Sequence, residues 1–130
     1  MTNDYKLLMD QAKEASKMSY SPFSRFAVGA AVLTSSGKIY QGCNVENSSF
    51  GLTNCAERTA IFKAVSEGER EIRAVAIYSP NADSCYPCGA CRQVLFEFQG
   101  DEEEIVVITE NMGKLEANKL SFFLPCGFKI

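Results

Sequence analysis

The chain has 130 residues, 46% hydrophobic and 22% charged, which describes one ordinary globular domain and excludes a disordered or fibrous chain. A net charge of -3, from 13 basic and 16 acidic residues, gives no electrostatic footprint for nucleic acid or anionic lipid, and no apolar run approaches the ~18 residues that span a bilayer. Six cysteines and no histidine restrict the chemistry: the commonest general base is missing, so proton transfer must use carboxylates, thiols, lysines or tyrosines.

Met1-Thr2-Asn3-Asp4-Tyr5-Lys6 has an early acid and no basic stretch leading into a long apolar run, so no secretory signal is expected and the setting reads as reducing and cytoplasmic. From Asn3 to Met18, Leu7, Leu8, Ala12 and Ala15 recur at helical spacing, which predicts an amphipathic helix. Ser19-Tyr20-Ser21-Pro22 ends it, because proline and its predecessor resist helical backbone. Phe26 to Thr34 is an apolar run, Ser35-Ser36-Gly37 a turn and Lys38 to Glu46 a second strand, together a β-hairpin. Cys55 to Glu67 is periodic as a helix, with Gly68 as its stop. Ile72 to Ser79 alternates as a strand, Pro80-Asn81-Ala82-Asp83 is a loop, and Gly89 to Phe98 is an apolar helix opening just after Pro87-Cys88. Asp101-Glu102-Glu103-Glu104 reads as a solvated loop, Ile105 to Thr109 as a strand, and a short helix is expected within Leu115 to Leu124. With no repeat or linker, residues 1–130 read as one domain, and the order α-β-β-α-β-α-β places one mixed sheet under helices on both faces.

The chemistry concentrates in Cys55-Ala56-Glu57 and Pro87-Cys88-Gly89-Ala90-Cys91. Cys88 and Cys91 are three apart at a helix start, so their sulfurs share one side, and Cys55 opens the other predicted helix. Helix N-termini lower thiol pKa values and tolerate the negative charge of ligated sulfur. Three thiolates leave one tetrahedral position of a zinc ion open, as in catalytic rather than structural sites. Glu57 is the candidate to serve that position, although regular helix geometry sets it about 200° from Cys55, so the local backbone must depart from that geometry. Cys85 makes a rival local set with Cys88 and Cys91 but lacks the Ala56-Glu57 context, while Cys43 and Cys126 read as small buried apolar residues.

His-x-Glu…Pro-Cys-x-x-Cys, with a three-cysteine variant, is the signature of zinc nucleobase deaminases. Together with Tyr20-Ser21-Pro22-Phe23-Ser24-Arg25-Phe26-Ala27-Val28-Gly29-Ala30, Asn44-Val45-Glu46-Asn47, Asn54-Cys55-Ala56-Glu57-Arg58-Thr59-Ala60 and Pro87-Cys88-Gly89-Ala90-Cys91-Arg92-Gln93-Val94-Leu95, it makes nearly the whole chain resemble the small, homotetrameric, zinc-dependent cytidine deaminases. That resemblance implies a three-layer α/β/α fold on a central mixed five-stranded sheet. It implies one Zn²⁺ per subunit, held by Cys55, Cys88 and Cys91. Hydroxide formed there would attack C4 of the pyrimidine while Glu57 carries protons to N3 and the leaving amine, converting cytidine and 2′-deoxycytidine to the uridine products and ammonia in pyrimidine salvage. Arg58 resembles the family arginine that withdraws charge from the ligating sulfurs. Asn44 and Glu46, on one face at a strand end, would hold the ribose hydroxyls; Phe26 would pack on the base, and the Ala56 N–H would donate to its O2. Phe128 resembles an aromatic that reaches a neighbouring subunit's site, which makes the homotetramer part of the site. Phe50 stands where the family often has tyrosine, and the Tyr86 carbonyl is the expected contact of the leaving amine.

The partner is thus expected to be a free pyrimidine nucleoside, with no nucleic acid and no membrane. Another cytosine nucleoside, such as a nucleoside antibiotic, is the neighbouring alternative. From other classes, a structural zinc module would not need Glu57, and a thiol–disulfide protein using Cys88-Gly89-Ala90-Cys91 would leave Cys55-Ala56-Glu57 unexplained.

Overall fold

The computed structural model describes residues 2–130, with side chains from Asp4 onward. Its first strand, β1 (Gly29–Thr34), is an interior strand made of small and branched residues and paired on both edges. It runs antiparallel to β2 (Ile39–Cys43) on one side and to β3 (Ile72–Tyr78) on the other. β3 pairs parallel with β4 (Val106–Asn111), which pairs antiparallel with β5 (Lys114–Lys119), giving the order β2-β1-β3-β4-β5. Among the described residues, four α-helices accompany the sheet, α1 (Thr2–Ser16), α2 (Ala56–Ser66), α3 (Gly89–Glu97) and the single turn α4 (Leu120–Phe123), with a 3₁₀ turn at Phe50–Leu52. The mixed five-stranded sheet and the three-layer architecture agree with the expectation.

Strand alternation divides the core in two. Ala31, Ala74, Ala76 and Ile108 point to one face and meet Leu8, Met9 and Ala12 of α1. Ala30, Val32, Val75, Ile77 and Val107 point to the other and meet Ala60, Ile61 and Ala64 of α2 and Leu95 of α3. Leu8, Ile61, Ile77, Leu95 and Ile108 are fully buried, each stabilising the fold by roughly 1.5–3 kcal/mol relative to exposure. Gly42 lets α2 lie directly on β2, since a Cβ there would stand 2.6 Å from the Ala56 carbonyl oxygen and closer still to the Ala60 nitrogen.

Two expectations change. Within α1 the buried stripe is Leu8, Met9, Ala12 and Ala15, whereas Leu7 is half exposed. The stretch beginning at Leu115 is strand β5 first and helix α4 only from Leu120. Met112-Gly113 forms a two-residue hairpin turn in which both residues have positive φ, and it folds Lys114–Lys119 back along β4.

The parallel pair β3–β4 requires a crossover, and α3 supplies it. The carboxyl ends of β2 and β3 and the N-termini of α2 and α3 consequently share one end of the sheet, where the crevice of an α/β fold binds its ligand.

Candidate active site

Cys55 and Cys88 are the N-cap residues of α2 and α3; both have extended backbone (φ -71, ψ 155 and φ -70, ψ 169), and neither side chain caps its helix. The two sulfurs therefore remain free for other partners. Cys91, on the first turn of α3, is fully buried and points to the same place, so that the three sulfurs lie within 4.8 Å of one another. The extended backbone at Cys55 also removes the angular objection to Glu57: Cys55 stands before the helix, and the regular 100° step does not relate the two side chains.

The sulfur positions fit zinc. Tetrahedral thiolates about 2.3 Å from a zinc ion stand about 3.8 Å apart, and Cys55 and Cys88 Sγ are 3.8 Å apart. Cys91 beside it, with the Arg58 guanidinium donating from Nη2 at 3.2 Å, holds the Cys55 thiol down at about 5. The same Cys55 contact and burial push Cys91 up. A cation beside it would relieve Cys91 of that cost. Among the described residues this is the group able to hold a metal, and Cys85 stands outside it. Burial pushes the Cys85 thiol up to about 11.

Glu57 is 4% exposed, and burial pushes its carboxyl up to about 7, with the nearby Cys55 adding to the rise. It borders a cavity of about 420 Å³ whose wall also includes Cys55, Cys88, Ala56, Phe26, Asn44 and Glu46. A wider cavity of about 610 Å³ beside Arg92 and Phe122 contains none of the thiols, so the chemistry selects the smaller one. Ala56 is the first residue of α2, and its N–H therefore has no partner within the helix.

Hydrogen bonding fixes what the two polar wall residues can still offer. Asn44 Oδ1 accepts from the Ser19 hydroxyl (2.5 Å) and the Val28 N–H (3.0 Å), and Nδ2 donates to the Phe26 carbonyl (2.8 Å). One Nδ2 hydrogen remains. Glu46 Oε1 accepts the N–H groups of Phe23 (3.0 Å) and Ser24 (3.1 Å), and Oε2 accepts the Ser24 hydroxyl. The Ser24 hydroxyl, with the Phe23 and Ser24 amides, holds the Glu46 carboxyl below the usual carboxylate range. It remains an acceptor with spare capacity on Oε2.

The cavity thus gathers Phe26, Asn44, Glu46, Cys55, Ala56, Glu57 and Cys88, with Cys91 and Arg58 behind it. Phe128 is not on this wall: it is 69% exposed, and its carbonyl accepts from Gln93 Nε2. Cys126 is exposed rather than buried, at φ 55, and Cys43 is half-buried with its sulfur 3.4 Å from the Met18 carbonyl. Cys85 and Tyr86 also line the cavity, and Ser24, Val28 and Thr53, which the sequence did not point to, complete its wall. Ser24 and Val28 belong to the quoted 20–30 segment, whereas nothing in sequence marks Thr53. Phe50 packs edge-to-face on Phe23 at 5.7 Å and is 73% exposed.

Residues 2–109 match the family described as the cytidine and deoxycytidylate deaminase zinc-binding region. The cytidine deaminase of Sporosarcina psychrophila is 45% identical over 125 residues, 96% of this chain and 91% of that one. The crystal structure of cytidine deaminase from Burkholderia pseudomallei superimposes with a TM-score of 0.86 at 42% identity, over 95% of this chain and 98% of that one. That from Mycobacterium tuberculosis gives a TM-score of 0.84 at 38% identity, over 98% of each chain. A match over most of the chain in both sequence and backbone, on top of three converging thiols, means that the chain belongs to the cytidine and deoxycytidylate deaminase family of zinc-binding enzymes.

Proposed function

We propose that residues 1–130 form one catalytic domain that hydrolytically deaminates cytidine and 2′-deoxycytidine in the cytoplasm as a step of pyrimidine salvage. The observation that carries this reading is the convergence of three thiols beside a cavity lined by one buried carboxyl, Asn44 and Glu46. Cys55, Cys88 and Cys91 hold one zinc ion per subunit. When bound, zinc lowers the pKa of a water in its open position and so supplies a nucleophile at neutral pH.

The chain's own groups do the rest. Glu57 takes the proton of the attacking water and delivers protons to N3 and then to the departing amine; with no histidine in the chain, one carboxyl serves both directions. Arg58 draws charge from Cys55. The Ala56 N–H donates to O2 of the base, the Tyr86 carbonyl accepts from the leaving amine, and Phe26 forms the wall against the ring. A sugar hydroxyl donates to Glu46 Oε2 and accepts the remaining Asn44 N–H, an arrangement that the hydrogen-bond inventory supports. No basic side chain is on the cavity wall, which favours a free nucleoside over a phosphorylated one or a nucleic acid. Four chains associate, and Phe128 of each completes a neighbour's site.

The test is Glu57→Gln, assayed by the absorbance change of cytidine deamination beside metal analysis. Zinc retained with turnover reduced about 10²–10⁴-fold supports the reading. Parental turnover by the variant contradicts it.

A further inference from the structure

The Phe26-Ala27-Val28 segment forms part of the cavity wall yet precedes β1, which begins at Gly29. Continuing the register beyond Gly29↔Tyr78 places Pro80 opposite Ala27. Proline has no N–H, so it cannot donate to the Ala27 carbonyl, and the ladder between β1 and β3 stops there. Side chains take its place. The Ser79 hydroxyl donates to the Ala27 carbonyl at 2.6 Å, and Asn81 Oδ1 accepts the Ala27 N–H at 2.8 Å. The Asn81 N–H donates to Ser79 Oγ at 3.1 Å, which locks the two into one unit. On the opposite edge, Asn44 bonds the Val28 N–H and the Phe26 carbonyl, and Ser24 Oγ accepts the Phe26 N–H at 3.0 Å. The Val28 carbonyl accepts the Asn44 N–H, so all six backbone polar groups of the segment are bonded, five of them to side chains.

We propose that Ser79 and Asn81 are positioning residues for deamination: they hold the Ala27 peptide on its β3 side and thereby set the Phe26 ring against the base. Neither residue is on the cavity wall, so both act through the 26–28 segment. Their role rests on that of Phe26 as the wall against the base. With the β3-side bonds lost, the segment is held only from the Asn44 edge and can turn the ring away.

Asn81 is exposed, so Asn81→Ala isolates the bond without opening the core. It is expected to raise KM for cytidine about 5–10-fold with kcat within about twofold, the pattern for binding lost equally in ground and transition states. Zinc content should stay parental. Asn81→Asp keeps the acceptor and should recover most of the loss. Ser79→Ala should raise KM in the same direction; because Ser79 is buried, its melting temperature is read alongside, and the Asn81 pair decides the matter if that variant fails to fold. In a Phe26→Ala background, Asn81→Ala should add less than about twofold. Parental KM in Asn81→Ala, or a defect undiminished in the Phe26→Ala background, overturns the proposal. Parental KM in Phe26→Ala alone removes Phe26 from the site and its two supports with it, whereas the first result leaves Phe26 standing.

Discussion

At the scale of single residues, Arg58 answers a problem that the three thiols create. Three thiolates outweigh the charge of one divalent cation, which weakens it as a Lewis acid, and the Arg58 guanidinium donates to the Cys55 sulfur at 3.2 Å. Arg58→Gln is expected to lower kcat/KM about 10–100-fold or to speed zinc loss to a chromophoric chelator. A variant matching the parent in both measurements contradicts that role. Ser24 is the counterpart at Glu46, since its hydroxyl and amide both bond to that carboxylate. Ser24→Ala should raise KM for cytidine roughly fivefold while leaving zinc content unchanged. An unaltered KM would show that the backbone amides alone orient Glu46. The thiols and Glu57 were legible in sequence because ligand chemistry allows few residue types at few spacings. The bonds by which Asn44 and Ser24 brace the wall were not, because they join positions 16 to 25 residues apart that only the folded chain brings together.

At the scale of elements, α2 and α3 matter for their first turns. Each begins immediately after a cysteine with extended backbone, so the helix end and the ligand are set together. Gly42 then determines how closely α2 sits on the sheet. Gly42→Ala should destabilise the protein by about 1–3 kcal/mol or more, seen as a lower melting temperature, and should impair activity because the helix it displaces begins with Ala56 and Glu57. A variant with parental melting temperature and turnover would mean that α2 rides freely on β2. The long apolar elements were readable from periodicity alone. β5 was not: Lys114–Lys119 is largely exposed, with a weak pattern, and its identity comes from the positive-φ turn at Met112-Gly113 and from pairing along β4. Leu7 misled for a related reason, since it sits beside the stripe that Leu8 and Met9 bury.

At the scale of the whole molecule, the topology explains why the cysteines converge. The α3 crossover brings the start of α3 to the same sheet end as the start of α2, so residues 33 apart in the chain become neighbouring sulfurs. Metal binding is then linked to folding, and stripping zinc with a chelator should lower the melting temperature, with recovery on zinc addition. An unchanged melting temperature would separate the thiol cluster from the stability of the fold. The central claim is that Cys55, Cys88 and Cys91 would hold a zinc ion and that cytidine deamination requires that ion together with Glu57. Its most direct test is to titrate zinc into the stripped protein while following cytidine-to-uridine conversion and bound metal in the same samples. The account predicts turnover rising in proportion to bound zinc and saturating near one ion per chain; full turnover without zinc, or one bound zinc per chain with no turnover of any cytosine nucleoside, would contradict it.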